Sequence, residues 1–172
     1  MKLIKEIYDK ENLGNAEKDT SEYSDRLSTR GILLNNQGQI AMIHFKHSDL
    51  YMLPGGKIDS GEKPEDTIIR ETKEETGYTS KIVKELGLII DFKEKIRQKN
   101  FNYCYLLRVE GDKGQRALTK NEIKNGAPDL LWLEPNKALE TQKLPVNSTS
   151  EEVYIAYFIQ EVQRFLLATY IE

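Results

Sequence analysis

The sequence predicts an α/β fold, a mixed β-sheet with helices on its faces, and three observations point there. β-rich runs both precede and follow a well-delimited helix, the pattern of a layered α/β domain. That helix has Pro64 at its first turn and Gly77 at its C-terminal cap, so it should run from Pro64 to Thr76. A second helix is expected from about Ser150 to Tyr170, where Ile155, Phe158, Ile159, Val162 and Leu166 recur at helical spacing and Thr149 with Glu152 fits a capping box.

Taken in order, residues 1–26 are polar and charged and are expected to form a poorly defined appendage, with "MKLIKEIY" as one short amphipathic element. The domain proper is expected over 27–172. Arg30–Leu34 and Gln39–Phe45 are β-rich runs separated by the turn-forming "NNQG", which predicts a hairpin. A short run, "LYML", then meets Pro54. "SKIVKELGLIIDF" and "NFNYCYLLRVE" are further strands, the second placing Phe101, Tyr103, Tyr105, Leu107 and Val109 on one face. "DLLWLEP" is a last short strand ended by Pro135.

Composition narrows the class. A chain of 172 residues with 38% hydrophobic content fits one domain with a real core. Lys plus Arg number 25 against 28 Asp plus Glu, a net charge of −3, so no global field draws it to nucleic acid or an anionic membrane. Cys104 is the single cysteine, which excludes an intramolecular disulfide and a cysteine metal framework and suits a reducing cytoplasm. No signal-peptide core and no bilayer-length apolar run appear, so a soluble protein is expected.

The chemistry concentrates in "GGKIDSGEKPEDTIIRETKEETGY", Gly55 to Tyr78. Glu71, Glu74 and Glu75 fall at i, i+3 and i+4 on one helix, where like charges repel, and near a C-terminus that disfavours anions. A divalent cation would offset that cost: clustered carboxylates are hard oxygen ligands suited to Mg²⁺ or Mn²⁺, which also bind phosphates and water. The preceding glycines allow backbone groups to approach such an ion. A solvated acidic helix face is the plain alternative for an arbitrary cluster. The G-x4-G spacing from Gly56 to Gly61 does not make a P-loop, because Glu62, Lys63 and Pro64 follow where Lys and Ser or Thr are required.

These residues resemble the Nudix box, G-x5-E-x7-R-E-U-x-E-E-x-G-U, with U a bulky aliphatic residue. Gly56, Glu62, Arg70, Glu71, Glu74, Glu75 and Gly77 meet all seven fixed positions, while the U positions hold Thr72 and Tyr78. A chance match at a given start is on the order of one in 10⁸ to 10⁹. The resemblance implies a Nudix-type α/β/α sandwich and Mg²⁺-dependent hydrolysis of a nucleoside diphosphate linked to another group. It implies metal ligation by Glu71, Glu74 and Glu75 with the Gly55 carbonyl, a carboxylate-holding role for Arg70, and loop-securing roles for Glu62, Gly56 and Gly77. Lys57 either faces the phosphates or is a solvated loop lysine. Glu122 is the candidate general base, with Asp129 behind it.

Substrate choice is less marked. "LPVN" is similar to the MutT-type segment that sets an asparagine against a guanine base, so Asn147 is a candidate base reader or, alternatively, a residue that starts the last helix. Tyr103 either borders a nucleobase or belongs to the core, as His44, Cys104 and Trp132 are expected to do. A nucleoside triphosphate is the favoured substrate. Nucleotide sugars, ADP-ribose, dinucleotides and a non-catalytic sensing module are the alternatives, and nucleic acid is disfavoured.

Overall fold

In the computed structural model of the chain, residues 1–9, 20–120, 123, 126–143 and 150–172 are described. Among these residues run seven strands and three α-helices: β1 (Leu3–Tyr8), β2 (Ser24–Leu34), β3 (Ile40–Phe45), β4 (Leu50–Met52), α1 (Pro64–Thr76), β5 (Thr79–Lys93), β6 (Gln98–Glu110), β7 (Asp129–Leu133), α2 (Pro135–Glu140) and α3 (Glu151–Ile171). The sheet is mixed, and helices cover both faces, as the sequence predicts. No helix among the described residues is long and apolar enough to cross a membrane.

The sheet runs β1-β5-β6-β2-β3-β4, with β7 added to β3. β1 is parallel to β5, β5 antiparallel to β6, and β6 parallel to β2. The hairpin expected around "NNQG" is real at its base, where the Asn35 side chain accepts from the Gln37 and Gln39 amides and Gly38 takes a φ of 80°. Its arms then part: Leu34 and Ile40 are the one registered pair between β2 and β3. β2 spends its length on β6, while β3 turns to β4 and β7. Thus β2 has a free edge, and the loop after β4 fills it.

Within the expected appendage, Leu3–Tyr8 and the start of β2 contribute to the sheet. β1 is an edge strand, Ile7 is buried, and the Tyr8 ring stacks on Phe92 at 4.6 Å. The expected boundary at residue 26 falls inside β2. Pro135 ends β7 and also opens α2, a short helix the sequence reading did not anticipate; proline is well tolerated at that first helical position.

Two apolar clusters lie on opposite faces. One joins Ile32, Leu34, Ile40, Met42, Ile89 and Cys104 to the α3 residues Tyr154, Phe158, Val162 and Leu166. The other joins Leu33, Ala41, Tyr105 and Leu107 to Ile68 of α1, with Tyr103 and Trp132 packed against it. Gly31 permits the close approach of α1, since a Cβ there would lie 2.4 Å from Leu107 Cδ1 and 3.1 Å from Ile68 Cδ1. Thr72, at one of the aliphatic box positions, is fully buried on this side.

α3 differs in rotation from the expected stripe. Tyr154 and Gln163 are buried where Ile155 and Ile159 are only partly so. The Gln163 amide explains it: Oε1 accepts from the Leu53 amide, and Nε2 donates to the Tyr51 carbonyl at 3.1 Å and to Gln142 Oε1 at 2.9 Å. A helix side chain thereby helps to satisfy backbone groups at the end of β4. Ser150 caps α3, accepting from the Val153 amide; Thr149 of the expected capping box lies outside the described residues.

Candidate active site

α1 forms as its sequence dictates. Pro64 occupies the first turn, Glu65 and Asp66 lie at the positive end of the helix dipole, and Gly77 closes the helix at φ 80° with its amide on the Lys73 carbonyl. Burial of Thr67, Ile68, Thr72 and Thr76 against the sheet turns Glu71, Glu74 and Glu75 toward the loop that enters the helix.

That loop is laid along β2. The Gly31 amide donates to the Pro54 carbonyl at 2.8 Å, the Thr29 amide to the Gly56 carbonyl at 2.8 Å, and the Ile58 amide to the Leu27 carbonyl at 3.0 Å. Gly55, at φ 141°, passes so close that a Cβ would sit 2.2 Å from the Thr29 carbonyl oxygen. At Gly56 a Cβ would fall 2.5 Å from the Glu71 carboxyl carbon. The two glycines have different work: Gly55 lets backbone meet backbone, and Gly56 leaves room for a carboxylate.

The repulsion among the glutamates is answered in part by Arg70. Its Nε and Nη2 fork onto Glu62 at 2.9 and 2.8 Å, and its Nη1 donates to Glu71 at 2.8 Å and Glu74 at 3.1 Å. Bidentate pairing of this kind fixes orientation as well as charge. Glu62 is held at about 2, mainly by the Arg70 hydrogen bonds. Glu71 is pushed the other way: burial raises it above the ordinary carboxylate range, with Arg70 opposing.

Glu75 is served from a different quarter. Its Oε2 accepts from the Gly55 amide at 2.9 Å, and the carbonyl of the same glycine accepts from Arg30 Nη1 at 2.7 Å. Arg30 comes from β2 and is 8% exposed. Burial lowers its basicity, and Glu75 is the leading charge that opposes the loss. The segment after β6 completes the C-terminal end of α1: the Ala117 amide donates to the Glu74 carbonyl at 2.8 Å, and Arg116 donates to the carbonyls of Glu75 and Pro128. Cationic Arg116 is favourable at that end of a helix.

The donor set suits a hard divalent cation. Three carboxylates share one side of α1 and one carbonyl lies beside them, the half-buried Glu71 anion has lost part of the solvation a cation would replace, and Gly56 leaves its carboxylate room. Among the described residues, no group of three or more carboxylate, imidazole or thiol side chains is already closed as a cation cage. Glu71 and Glu74 are turned onto Arg70, and Glu75 onto Gly55.

Of the residues singled out in the sequence, Gly55, Gly56, Glu62, Arg70, Glu71, Glu74 and Glu75 come together, and Gly77 caps their helix. Lys57 is exposed, and its backbone bridges Ser28. Tyr103 packs on the α1 side of the sheet. Asp129 pairs with Lys46 at 2.9 Å. Glu122 and Asn147 lie outside the described residues. Cys104 is fully buried, and burial raises its thiol to about 12, so it is a packing residue and no nucleophile at neutral pH. Arg30 and Arg116 join the site without a sequence signal: both act across long sequence separations, and no local spacing announces them.

On the α3 side, a groove of about 840 Å³ is lined by Tyr51, Leu131, Leu133, Lys143, Val153 and Gln160, among others. Of its lining residues, Tyr51 stacks on the His44 ring at 4.0 Å, and Asp49 Oδ1 lies 2.9 Å from His44 Nε2. Tyr51 is four residues from Gly55, a span of at most about 14 Å of extended chain.

The NUDIX domain family model matches residues 25–157. The chain belongs to the Nudix family. A Bacillus subtilis protein with the provisional name 8-oxo-dGTP diphosphatase is 40% identical over 57 residues, 33% of this chain and 38% of that one. The RNA pyrophosphohydrolase of Vibrio cholerae is 43% identical over 61 residues, 34% of each chain. These stretches span well under half of each of those relatives. Among solved structures, a Nudix hydrolase from Nitrosomonas europaea superimposes with a TM-score of 0.59 at 12% identity, covering 78% of this chain and 89% of that one. The MutT protein of Methanosarcina mazei Go1 gives 0.53 at 17% identity, covering 83% and 96%. At such identities the structural likeness establishes the Nudix fold.

Proposed function

We propose that this Nudix protein is a divalent-cation-dependent pyrophosphohydrolase acting on a nucleoside diphosphate linked to another group, with a nucleoside triphosphate as the favoured substrate. The observation that carries the reading is the assembly of Glu62, Arg70, Glu71, Glu74, Glu75 and Gly55 at the mouth of one helix. A protein that only sensed nucleotides would have no need of so complete a carboxylate set.

Glu71, Glu74 and Glu75, with the Gly55 carbonyl, would hold Mg²⁺ or Mn²⁺, which when bound supplies an activated water and neutralises charge on a pyrophosphate. Arg70 keeps two of the carboxylates oriented, and the Gly55 amide keeps the third. Exposed Lys57 faces the phosphates. Glu122 is the candidate that takes the proton from the attacking water, and Asn147 is the candidate that reads the nucleobase. The relatives named above divide between a provisional 8-oxo-dGTP diphosphatase and an RNA pyrophosphohydrolase, which supports pyrophosphate cleavage as the reaction class.

The test is release of phosphate or pyrophosphate with Mg²⁺ over a panel of canonical and oxidised nucleoside triphosphates, ADP-ribose, nucleotide sugars, dinucleotides and 5′-triphosphorylated RNA, beside Glu74→Gln. Turnover of a nucleoside triphosphate, lost in the variant, supports the proposal. Turnover of another member alone replaces the favoured substrate, and equal rates for parent and variant defeat the mechanism.

A further inference from the structure

We infer that Arg30 is a positioning residue for the active site, gripping the Gly55 peptide so that the Gly55 carbonyl and the Glu75 carboxylate face one cation. The inference rests on the hydrolase reading above but concerns a residue outside the Nudix box. Gly55 is held on both sides of its backbone: its amide donates to Glu75 Oε2 at 2.9 Å, and its carbonyl accepts from Arg30 Nη1 at 2.7 Å. A carbonyl oxygen has two lone pairs, so the Arg30 bond leaves one open. Near φ 141°, against the Thr29 carbonyl, only glycine fits. A glycine in that position has little intrinsic order, and the guanidinium supplies it.

A buried cation is costly unless its surroundings compensate. Burial lowers the basicity of Arg30, Arg26 adds to the loss, and Glu75 and Asp91 offset part of it. Asp91 is itself anchored: Lys93 donates to it, and so do the side-chain amides of Asn100 at 3.2 Å and Asn102 at 2.8 Å. Ser28 in turn donates to Asn100 Oδ1 at 2.9 Å. A hydrogen-bonded polar layer between the sheet and α3 thus backs the residue that holds Gly55. An arginine serving only as core packing would not need its head at a metal-facing carbonyl.

The test compares the parent, Arg30→Met and Arg30→Lys without substrate. Mn²⁺ affinity is read from the free-ion paramagnetic resonance signal, Gly55 amide exchange by NMR, and folding by thermal unfolding. Loss of an orienting partner of a metal ligand typically costs 10- to 100-fold in affinity. Arg30→Met is therefore expected to bind Mn²⁺ at least about 10-fold more weakly and to exchange the Gly55 amide faster, with Arg30→Lys between it and the parent. Affinity and exchange within twofold of the parent, with only the thermal midpoint lowered, would make Arg30 a core brace and overturn the inference. Tighter Mn²⁺ binding would mean that the guanidinium competes with the cation, and overturns it as well. Should Arg30→Met fail to fold, Arg30→Lys and the parent decide. In the parent the Gly55 amide must be protected like those of Thr29 and Gly31; exchange at the rate of the exposed Ser60 amide refutes the grip. Because no substrate enters, an inert substrate panel would defeat the hydrolase reading and leave this result standing.

Discussion

Arg70 and Arg30 meet the same cluster of carboxylates from opposite sides and by different physics. Arg70 sits on the helix it serves, about a third exposed, and reaches Glu62, Glu71 and Glu74 within eight residues of itself. Arg30 arrives from a strand, is buried, and reaches Glu75 through the Gly55 peptide. The first arrangement neutralises charge locally and tolerates solvent. The second spends a buried cation on one peptide, which is worthwhile only where that peptide's orientation matters.

The largest effect should come from the carboxylates themselves. Glu74→Gln keeps shape and removes charge, and turnover should fall by at least about 100-fold, more than for loss of an orienting residue. A smaller drop, measured as kcat, would shift the chemistry away from this side chain.

The two glycines then separate backbone from side-chain constraint. Gly55→Ala sets a Cβ against the Thr29 carbonyl and should destabilise the fold by about 3 kcal/mol in urea titration, because backbone must move. Gly56→Ala meets first the flexible end of the Glu71 side chain, so stability should change by less than about 1 kcal/mol while Mn²⁺ affinity falls. Equal stability losses would erase the distinction between the glycines. Arg70→Lys keeps the charge and loses the fork, with kcat falling about 10-fold and the thermal midpoint little changed.

The smallest effect is in pH. The folded Glu62 carboxyl lies at about 2, below its ordinary 4.5, so its contribution is complete above the higher value and is lost as pH falls toward the lower. In this partly exposed pair it should amount to about 1 kcal/mol. The stability gap between the parent and Glu62→Gln should therefore be present at pH 6 and reduced at pH 3 in urea unfolding.

The same contrast explains what the sequence disclosed. Glu62, Arg70 and the three glutamates are separated by fixed short spacings, so one helix and one loop bring them together and the pattern is legible. Pro64 and Gly77 delimit that helix because their backbone preferences act locally. Arg30, Arg116 and Gln163 are placed by parallel pairing of β2 with β6, by a loop folding back on α1, and by a helix rotating to satisfy β4; none of these leaves a local period. β1 was hidden for a similar reason, since its parallel partner β5 lies some 80 residues away. The resemblance to the Nudix box anticipated the family and the fold, and could not anticipate how Glu75 is held.

The measurement that bears most directly on the account is a Mn²⁺ titration of the parent beside Glu75→Gln and, as a control on the exposed face of α2, Glu140→Gln. The account predicts a bound ion in the parent, affinity lower by about 10-fold or more in Glu75→Gln, and no change in the control. Parent-like binding by a folded Glu75→Gln would contradict it, because the cation would then not depend on the carboxylate that Gly55 and Arg30 hold in place.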